Sequence, residues 1–478
     1  MPQQGKKQAQ TSYNFDPSIL REYDIRGIVG KNLSEDDAFA LGRAFGTYVK
    51  RHPKTPKGRA VKFCVGYDGR TTSPGLAGAL VEGLVSTGAE VEKIGLGPTP
   101  MLYFSVKDRG ADAGIMITGS HNPPEYNGFK MMMQAGPVYG EIIQELGRIA
   151  AAGDFESGNG TSKDIDVKDT YVTRLMKDFT GKKAMKIAWD NGNGAAGEIL
   201  RRLTKKLPGE HILLYDDIDG KFPNHHPDPT VDKNLEDLKK TILKEKCGLG
   251  IAFDGDGDRI GVVNERGEIL RCDILMTIYA QAILAEQPGA PIIGDVKCSQ
   301  VMFDRIAAMG GKPVMWKTGH SLVKAKMAEL KAPLAGELSG HIFFADKYYG
   351  FDDALYCAVR LLNAADAANG PFSSLTKDLP VLFNTPEIRC EVEEEKKFGL
   401  VPKIAERLKA SANKDIRIDD IDGIRVSTQD GWWLLRPSNT QNVLVARMEA
   451  SSPEGLERLK DMARQEVRNI GYDLEFPD

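Results

Sequence analysis

One pattern recurs three times along the chain and limits what it can fold into. Residues 60–95, AVKFCVGYDGRTTSPGLAGALVEGLVSTGAEVEKIG, read as a strand, a glycine loop, a helix and a second strand. Residues 185–217 and 290–330 repeat that order. Short apolar strands alternating with amphipathic helices predict α/β layers built on parallel strands, in three similar mixed α/β domains. In the first repeat Ser73-Pro74 predicts a helix start, with serine as N-cap and proline at the first helical position. The C-terminal hundred or so residues differ. GIRVSTQDGWWLLRPSNTQNVLVARMEA, residues 423–450, has two strand-like runs around Asp430-Gly431, a hairpin signal, and a helix start at Ser452-Pro453 follows. A smaller α+β domain is expected there. A chain of 478 residues exceeds one hydrophobic core, and cuts near 165, 268 and 380 give domains 1–165, 166–268, 269–380 and 381–478.

Charge and cysteine usage narrow the partners. Lys and Arg number 63 against 67 Asp and Glu, a net charge of −4, so no global field points to nucleic acid or an acidic membrane. Any phosphate must be held by local residues. Six cysteines, at 64, 247, 272, 298, 357 and 390, lack a CxxC pair and read as reduced thiols in a cytoplasmic protein. The opening MPQQGKKQAQTSYNFD is polar, without the apolar segment of a secretory signal. No stretch approaches the roughly 18 apolar residues that span a bilayer.

Chemistry-bearing residues gather in loops that adjoin strands. In GIMITGSHNPPEYNGFK, residues 114–130, an apolar run delivers Ser120 into a loop of Gly, His, Asn and Pro. Ser120 fits neither a GxSxG elbow nor a triad with an identified base. In GLGIAFDGDGDRIGVVNERGEI, residues 248–269, Asp254, Asp256 and Asp258 alternate with glycines ahead of Arg259. Their mutual repulsion asks for a hard divalent cation. An EF-hand would put Glu265 at its twelfth position, but Arg259 replaces its turn glycine and the flanks read as strands. Two readings stay open: an aspartyl phosphatase with Asp254 as nucleophile, and a Mg²⁺ site holding a phosphate between metal and Arg259. In PLAGELSGHIFF, residues 333–344, Glu337, Ser339 and His341 alternate, so an extended strand would present them on one face to sugar hydroxyls. Thr318, Gly319 and His320 follow another strand in WKTGHSLVK. Arg436, Ser438, Asn439 and Thr440 in LLRPSNTQN combine a guanidinium fork with small donors, a phosphate cradle.

Taken together, REYDIRG, GYDGR, TGSHNPPEYNGFK, FPNHHPDP, DGDGDR, WKTGHSL, GELSGHIFF and RPSNT occur in the order in which they stand in the α-D-phosphohexomutases. The sequence resembles that family through nearly its whole length after the first dozen residues, most closely the bacterial phosphomannomutase/phosphoglucomutase group. The resemblance implies four domains around a central cleft and a phosphorylated Ser120. It implies one Mg²⁺ per subunit on Asp254, Asp256, Asp258 and a phosphoserine oxygen, and a hexose 1,6-bisphosphate as intermediate and activator. Arg26 and Lys130, with Arg259 beside them, match the residues near the transferring phosphoryl group. Glu337 and Ser339 would read the 3- and 4-hydroxyls that glucose and mannose share. His341, His320, Lys297 and Tyr23, with Thr318 and Gly319, would complete the substrate contacts. Arg436, Ser438, Asn439 and Thr440 would hold the phosphate that is not reacting.

The implied activity is reversible interconversion of mannose and glucose 6- and 1-phosphates. Expected partners are hexose phosphates alone, with no nucleic acid or membrane, in a monomer or weak oligomer. Relatives often have proline at the position of Asn442, a departure expected to alter loop stiffness. Phosphoglucosamine mutases usually carry glutamine at the position of Leu338, which argues against that branch.

Overall fold

The computed structural model describes residues 12–410, 415–438 and 442–472. Two compact units emerge. One holds residues up to Cys272 together with Ser339–Ser374; the other holds Asp273–Leu338 and the residues from Leu375 on.

In the first unit the leading sheet runs Ile25–Ile28, Tyr126–Met133, Ala113–Ile117, Lys62–Tyr67, Glu90–Leu96 and Thr161–Asp164. Its inner strands are parallel, whereas Tyr126–Met133 and Ile25–Ile28 join antiparallel, giving the expected mixed sheet. Every residue of Ala113–Ile117 is buried, as a strand covered on both faces requires. Register then places two of the expected site residues. Arg26 lies opposite Gly128, and Lys130 is two residues further along the same strand, so both project from one face. The second sheet of this unit runs Ile269–Leu270, Ile260–Asn264, Leu249–Phe253, Met185–Asp190 and Gly209–Leu214. Its last three strands are parallel, and Leu249–Phe253 and Ile260–Asn264 form an antiparallel hairpin. Those strand flanks rule out an EF-hand.

The second unit contains the parallel strands Lys312–Trp316, Pro291–Asp295 and Leu334–Gly336, with the helix Gln300–Ala308 between the first two in sequence, so the third repeat folds as read. The C-terminal sheet is antiparallel throughout its order Phe383–Asn384, Val443–Ala450, Gly431–Pro437, Ile424–Ser427 and Arg417–Asp419. The hairpin at Asp430-Gly431 is present, and Ser452 caps the helix Pro453–Asn469 by accepting from Gly455 N–H at 3.0 Å. Trp433, Ile424 and Leu444 lie in the core that this helix and Glu394–Ala410 cover.

Two local readings change. The helix Ser73–Ser86 is flanked by Thr72, so Ser73 stands one position inside. Its hydroxyl donates to Asp68 Oδ1 at 2.6 Å instead of capping the helix. The segment with Glu337, Ser339 and His341 is no continuous strand. Leu334–Gly336 ends before Glu337, the chain turns with Gly340 at φ +97°, and Ile342–Phe344 resumes. Glu337 belongs to the second unit, Ser339 and His341 to the first.

Helix packing in the first unit depends on a glycine contact. Helices Glu35–Arg51 and Ser73–Ser86 approach so closely that a Cβ on Gly83 would lie 2.2 Å from Phe39 O, and one on Gly42 would lie 2.3 Å from Leu80 O. Gly83→Ala is expected to destabilise the protein by about 2 kcal/mol, because overpacking outweighs alanine's roughly 1 kcal/mol better helix propensity. Urea unfolding checks this; an unchanged or raised midpoint contradicts it.

Candidate active site

The turn at residues 254–259 closes the hairpin whose last pair is Phe253 with Ile260. Asp254 Oδ1 accepts the backbone N–H groups of Asp258 and Arg259, each at 3.1 Å, so the first carboxylate shapes its own turn. Asp254, Asp256 and Asp258 are all 0 % exposed, and their ligand oxygens lie within 4.8 Å of one another. Lys130 Nζ reaches Asp256 at 2.8 Å and Asp258 at 2.5 Å. Thr99 donates its hydroxyl to Asp256 and also receives that residue's carbonyl, at 2.8 Å, on its own N–H.

Ser120 comes to the same place from the first sheet. Its Oγ is 3.2 Å from Asp254 Oδ2 and 3.3 Å from His121 Nδ1. The two loops touch through backbone: a Cβ on Gly255 would lie 2.4 Å from Ser120 O, while Gly255 N–H donates to Pro227 O at 3.1 Å. The glycines that alternate with the aspartates therefore also allow close approach to the serine loop.

Charge in this site is unbalanced. Burial, reinforced by Asp258 and Asp256, pushes Asp254 well above the usual carboxylate range. Burial acts most strongly on Asp258 and in the same sense, but Lys130, His341 and Arg259 together outweigh it and hold that group well below the usual range. Burial alone would lower Lys130, yet Asp256, Asp258 and Asp254 raise it, so its ammonium stays charged. His121 is held neutral by burial and by Arg259, Arg26 and Lys130. Asp256 Oδ1 is buried with no hydrogen-bond partner among the described residues, and Asp258 Oδ1 has only an ion-pair approach of 3.3 Å to His341 Nε2. Buried carboxylate oxygens without donors fit ligands of a hard divalent cation.

The other expected residues of this unit border the same turn. Arg26 NH1 donates to Asn122 Oδ1 at 2.6 Å and NH2 to Asp24. Arg259 Nε lies 3.9 Å from Asp254 Oδ2 and 3.2 Å from His341 Nε2. Because Asp258 and Arg259 both approach that nitrogen, the position of the imidazole proton selects between them. Ser339 Oγ is 3.1 Å from His341 Nδ1. Tyr23 is half-buried just ahead of the strand Ile25–Ile28.

A separate polar network occupies the second unit. Glu337, 1 % exposed, accepts Gly319 N–H at 2.6 Å. Thr318 gives its hydroxyl to Asp295 at 3.0 Å and its N–H to Asp422 at 3.0 Å, and Asp422 also takes Arg436 Nε at 2.9 Å. Lys297 pairs with Glu387 at 3.1 Å. Ser438 is buried, with its N–H on Val443 O at 2.9 Å. His320 opens the helix His320–Leu330. Asn439 and Thr440 lie outside the described residues. Sequence reasoning missed His121, Thr99, Asp295, Asp422 and Glu387. Only His121 had a local signal, as the neighbour of Ser120; the others act through partners far along the chain.

With this geometry in place, comparison with known proteins defines the class. The family models for phosphoglucomutase/phosphomannomutase match in order: alpha/beta/alpha domain I at residues 17–157, domain II at 169–267, domain III at 271–383 and the C-terminal domain at 387–466. The chain belongs to the phosphoglucomutase/phosphomannomutase family, within the α-D-phosphohexomutase superfamily. It is 42% identical over 461 residues to the phosphomannomutase/phosphoglucomutase of Pseudomonas aeruginosa, covering 96% of this chain and 97% of that one. The phosphoglucomutase of Neisseria meningitidis serogroup A is 40% identical over 461 residues, covering 95% and 98%. Among solved structures, a phosphoglucomutase/phosphomannomutase family protein from Burkholderia thailandensis aligns with a TM-score of 0.89 at 42% identity, covering 97% of this chain and 100% of that one. The expected fold class of three α/β domains and a C-terminal domain holds. No helix among the described residues is long and apolar enough to cross a membrane.

The Lys297–Glu387 pair yields a pH prediction. The charge of Lys297, with help from Arg389 and against burial, holds Glu387 down to about 2. A depressed carboxylate contributes fully above its ordinary value of 4.5 and loses that contribution as pH falls through about 2. Glu387→Gln should cost about 1 kcal/mol at neutral pH, allowing for partial exposure of the pair, and the difference from wild type should vanish between pH 4.5 and 2. Unfolding at a series of pH values reads this; a pH-independent difference contradicts it.

Proposed function

We propose that the protein interconverts mannose 6-phosphate with mannose 1-phosphate, and glucose 6-phosphate with glucose 1-phosphate, using Ser120 as phosphoryl carrier. The observation that carries the reading is the 3.2 Å approach of Ser120 Oγ to Asp254 Oδ2, beside two further buried carboxylates and the ammonium of Lys130. The name of the relative at 42% identity, which joins both mutase activities, and that of the relative at 40%, a phosphoglucomutase, support the choice of sugars. Division of the chain near 165, 268 and 380 is supported by the ends of the matched ranges.

Asp254, Asp256 and Asp258 would hold Mg²⁺ together with an oxygen of the Ser120 phosphate, and the ion would supply positive charge to the phosphoryl oxygens in transit. In the first half-reaction the Oγ–P bond of phosphoserine breaks and a bond forms from phosphorus to the free hydroxyl of a hexose monophosphate. That hydroxyl gives up its proton, Ser120 recovers one, and a hexose 1,6-bisphosphate results. In the second half-reaction the other phosphate returns to Ser120, whose hydroxyl gives up its proton, and the sugar oxygen it leaves takes one. No phosphate is consumed.

Arg26, Lys130 and Arg259 would stabilise the charge that spreads over the transferring group. Lys130 is suited to that role, because its carboxylate neighbours keep its ammonium charged at rest. In the second unit Glu337 would read the sugar hydroxyls, and Lys297, Thr318, Gly319 and His320 would line the substrate. Arg436 and Ser438, with Asn439 and Thr440, would hold the distal phosphate. Tyr23, Ser339 and His341 are assigned substrate contacts in the first unit. A cytoplasmic address agrees with six cysteines that form no disulfide.

Phosphorus NMR of mannose 1-phosphate with enzyme, Mg²⁺ and a trace of glucose 1,6-bisphosphate tests the proposal. Mannose 6-phosphate should grow in without inorganic phosphate, and Ser120→Ala should be slower by at least about a thousandfold. Chelation should abolish turnover and Mg²⁺ restore it. Release of inorganic phosphate by a fully active Ser120→Ala would instead make Asp254 the nucleophile of a phosphatase.

A further inference from the structure

We propose that Arg70 is the positioning residue that fixes the geometry of Ser120, an inference that rests on Ser120 as the carrier. The Arg70 side chain is 0 % exposed, and its guanidinium lies inside the loop that follows Ser120. NH2 donates to Ser120 O at 2.8 Å and Asn122 O at 2.6 Å. NH1 donates to Pro123 O at 2.6 Å and Tyr126 O at 3.0 Å, and Nε to Asp68 Oδ2 at 3.1 Å. All five guanidinium N–H groups are therefore used, four of them on carbonyls of one short loop. No other side chain has a planar fork that can do this. Lysine offers three donors from a single point and would leave buried carbonyls unsatisfied.

The loop needs such a clamp. Ser120 has φ +50°, in the left-handed region that a residue with a Cβ disfavours by roughly 1–2 kcal/mol. Its neighbour Gly119 donates N–H to Asp68 Oδ2 at 3.1 Å, so the partner of Arg70 also anchors the serine from its other side. A Cβ on Gly119 would fall 2.5 Å from Arg70 Cζ and 2.8 Å from Tyr126 O. The clamp thus accounts for the glycine that precedes the serine. Asn122, whose carbonyl Arg70 holds, accepts Arg26 at 2.6 Å through its side chain, so the loop and one of the charged groups at the site share an anchor.

Phosphoryl transfer needs its oxygens in line, and a misplacement near 1 Å costs about a hundredfold in rate. Arg70→Lys should accordingly lower kcat by about 100-fold while KM for glucose 1-phosphate shifts less than about threefold. Gly119→Ala should do the same without removing any charge, by displacing the guanidinium. Because both act on one element, the double variant should be no slower than the slower single. Glu92→Gln is the control for lost stability. It breaks the ion pairs that a buried carboxylate of the same sheet makes with the partly exposed Arg109, Lys62 and Lys163, none of them in the serine loop, and it should keep kcat within about twofold at 25 °C.

Wild type, Arg70→Lys and Ser120→Ala are incubated with phosphorus-32-labelled glucose 1,6-bisphosphate, and the folded fraction of each variant is followed by circular dichroism. Label on wild-type Ser120 with a kcat-only loss in folded Arg70→Lys supports the inference. Label on wild type with undiminished kcat in folded Arg70→Lys overturns it alone. Losses that multiply in the double variant, or that Glu92→Gln reproduces, overturn it too. No label on wild-type Ser120 overturns the carrier reading and this inference together.

Discussion

Three carboxylates buried within 4.8 Å of one another dominate the energetics of this protein's first unit. Two like charges at that distance repel by about 3–4 kcal/mol even at an effective dielectric constant of 20. Such a cluster persists in a fold only if positive charge is supplied to it or a carboxyl keeps its proton, as burial favours at Asp254. Lys130 provides part of that charge from the middle of a buried strand, and Arg259 lies at the rim. The remaining demand is what fits the turn at residues 254–259 to a cation, and it underlies the proposal that the serine beside it carries phosphate.

The surrounding architecture follows from bringing that turn to Ser120. Both loops leave the carboxyl ends of strands, Phe253 and Ile117, where α/β sheets expose their loop backbone. Register carries Arg26 and Lys130 to one face of the first sheet. Glycines at 119, 128 and 255 remove the side chains that would hold the backbones apart: a Cβ at Gly128 would lie 2.1 Å from Ile25 O, and one at Gly255 2.4 Å from Ser120 O. The aspartate–glycine alternation therefore serves two ends, buried carboxylate oxygens gathered at one set of positions and close packing at the other.

The order of elements was legible in the sequence because strand and helix periodicities in the three repeats are strong and local. The hairpin at Asp430-Gly431 and the cap at Ser452 were legible for the same reason. Ser73 was misplaced by one residue because its hydroxyl answers to Asp68, a partner outside the helix. Glu337, Ser339 and His341 were read as one strand face because alternation cannot reveal that Gly340 turns the chain at φ +97°. Asp422, which joins Thr318 to Arg436, carries no local signal at all: its partners stand 104 and 14 residues away. Arg70 stood in a recognised motif without a role, since four of its five acceptors are backbone carbonyls, which have no residue identity to read.

The central claim is that the three carboxylates and the phosphate of Ser120 share one cation. Anomalous diffraction from crystals of the phosphorylated enzyme grown with Mn²⁺ tests it most directly. The account predicts a single strong peak about 2.1–2.2 Å from one oxygen each of Asp254, Asp256 and Asp258 and from an oxygen of the phosphate on Ser120. A phosphorylated Ser120 with no metal on those three aspartates, or a metal there that the phosphate does not touch, would contradict it.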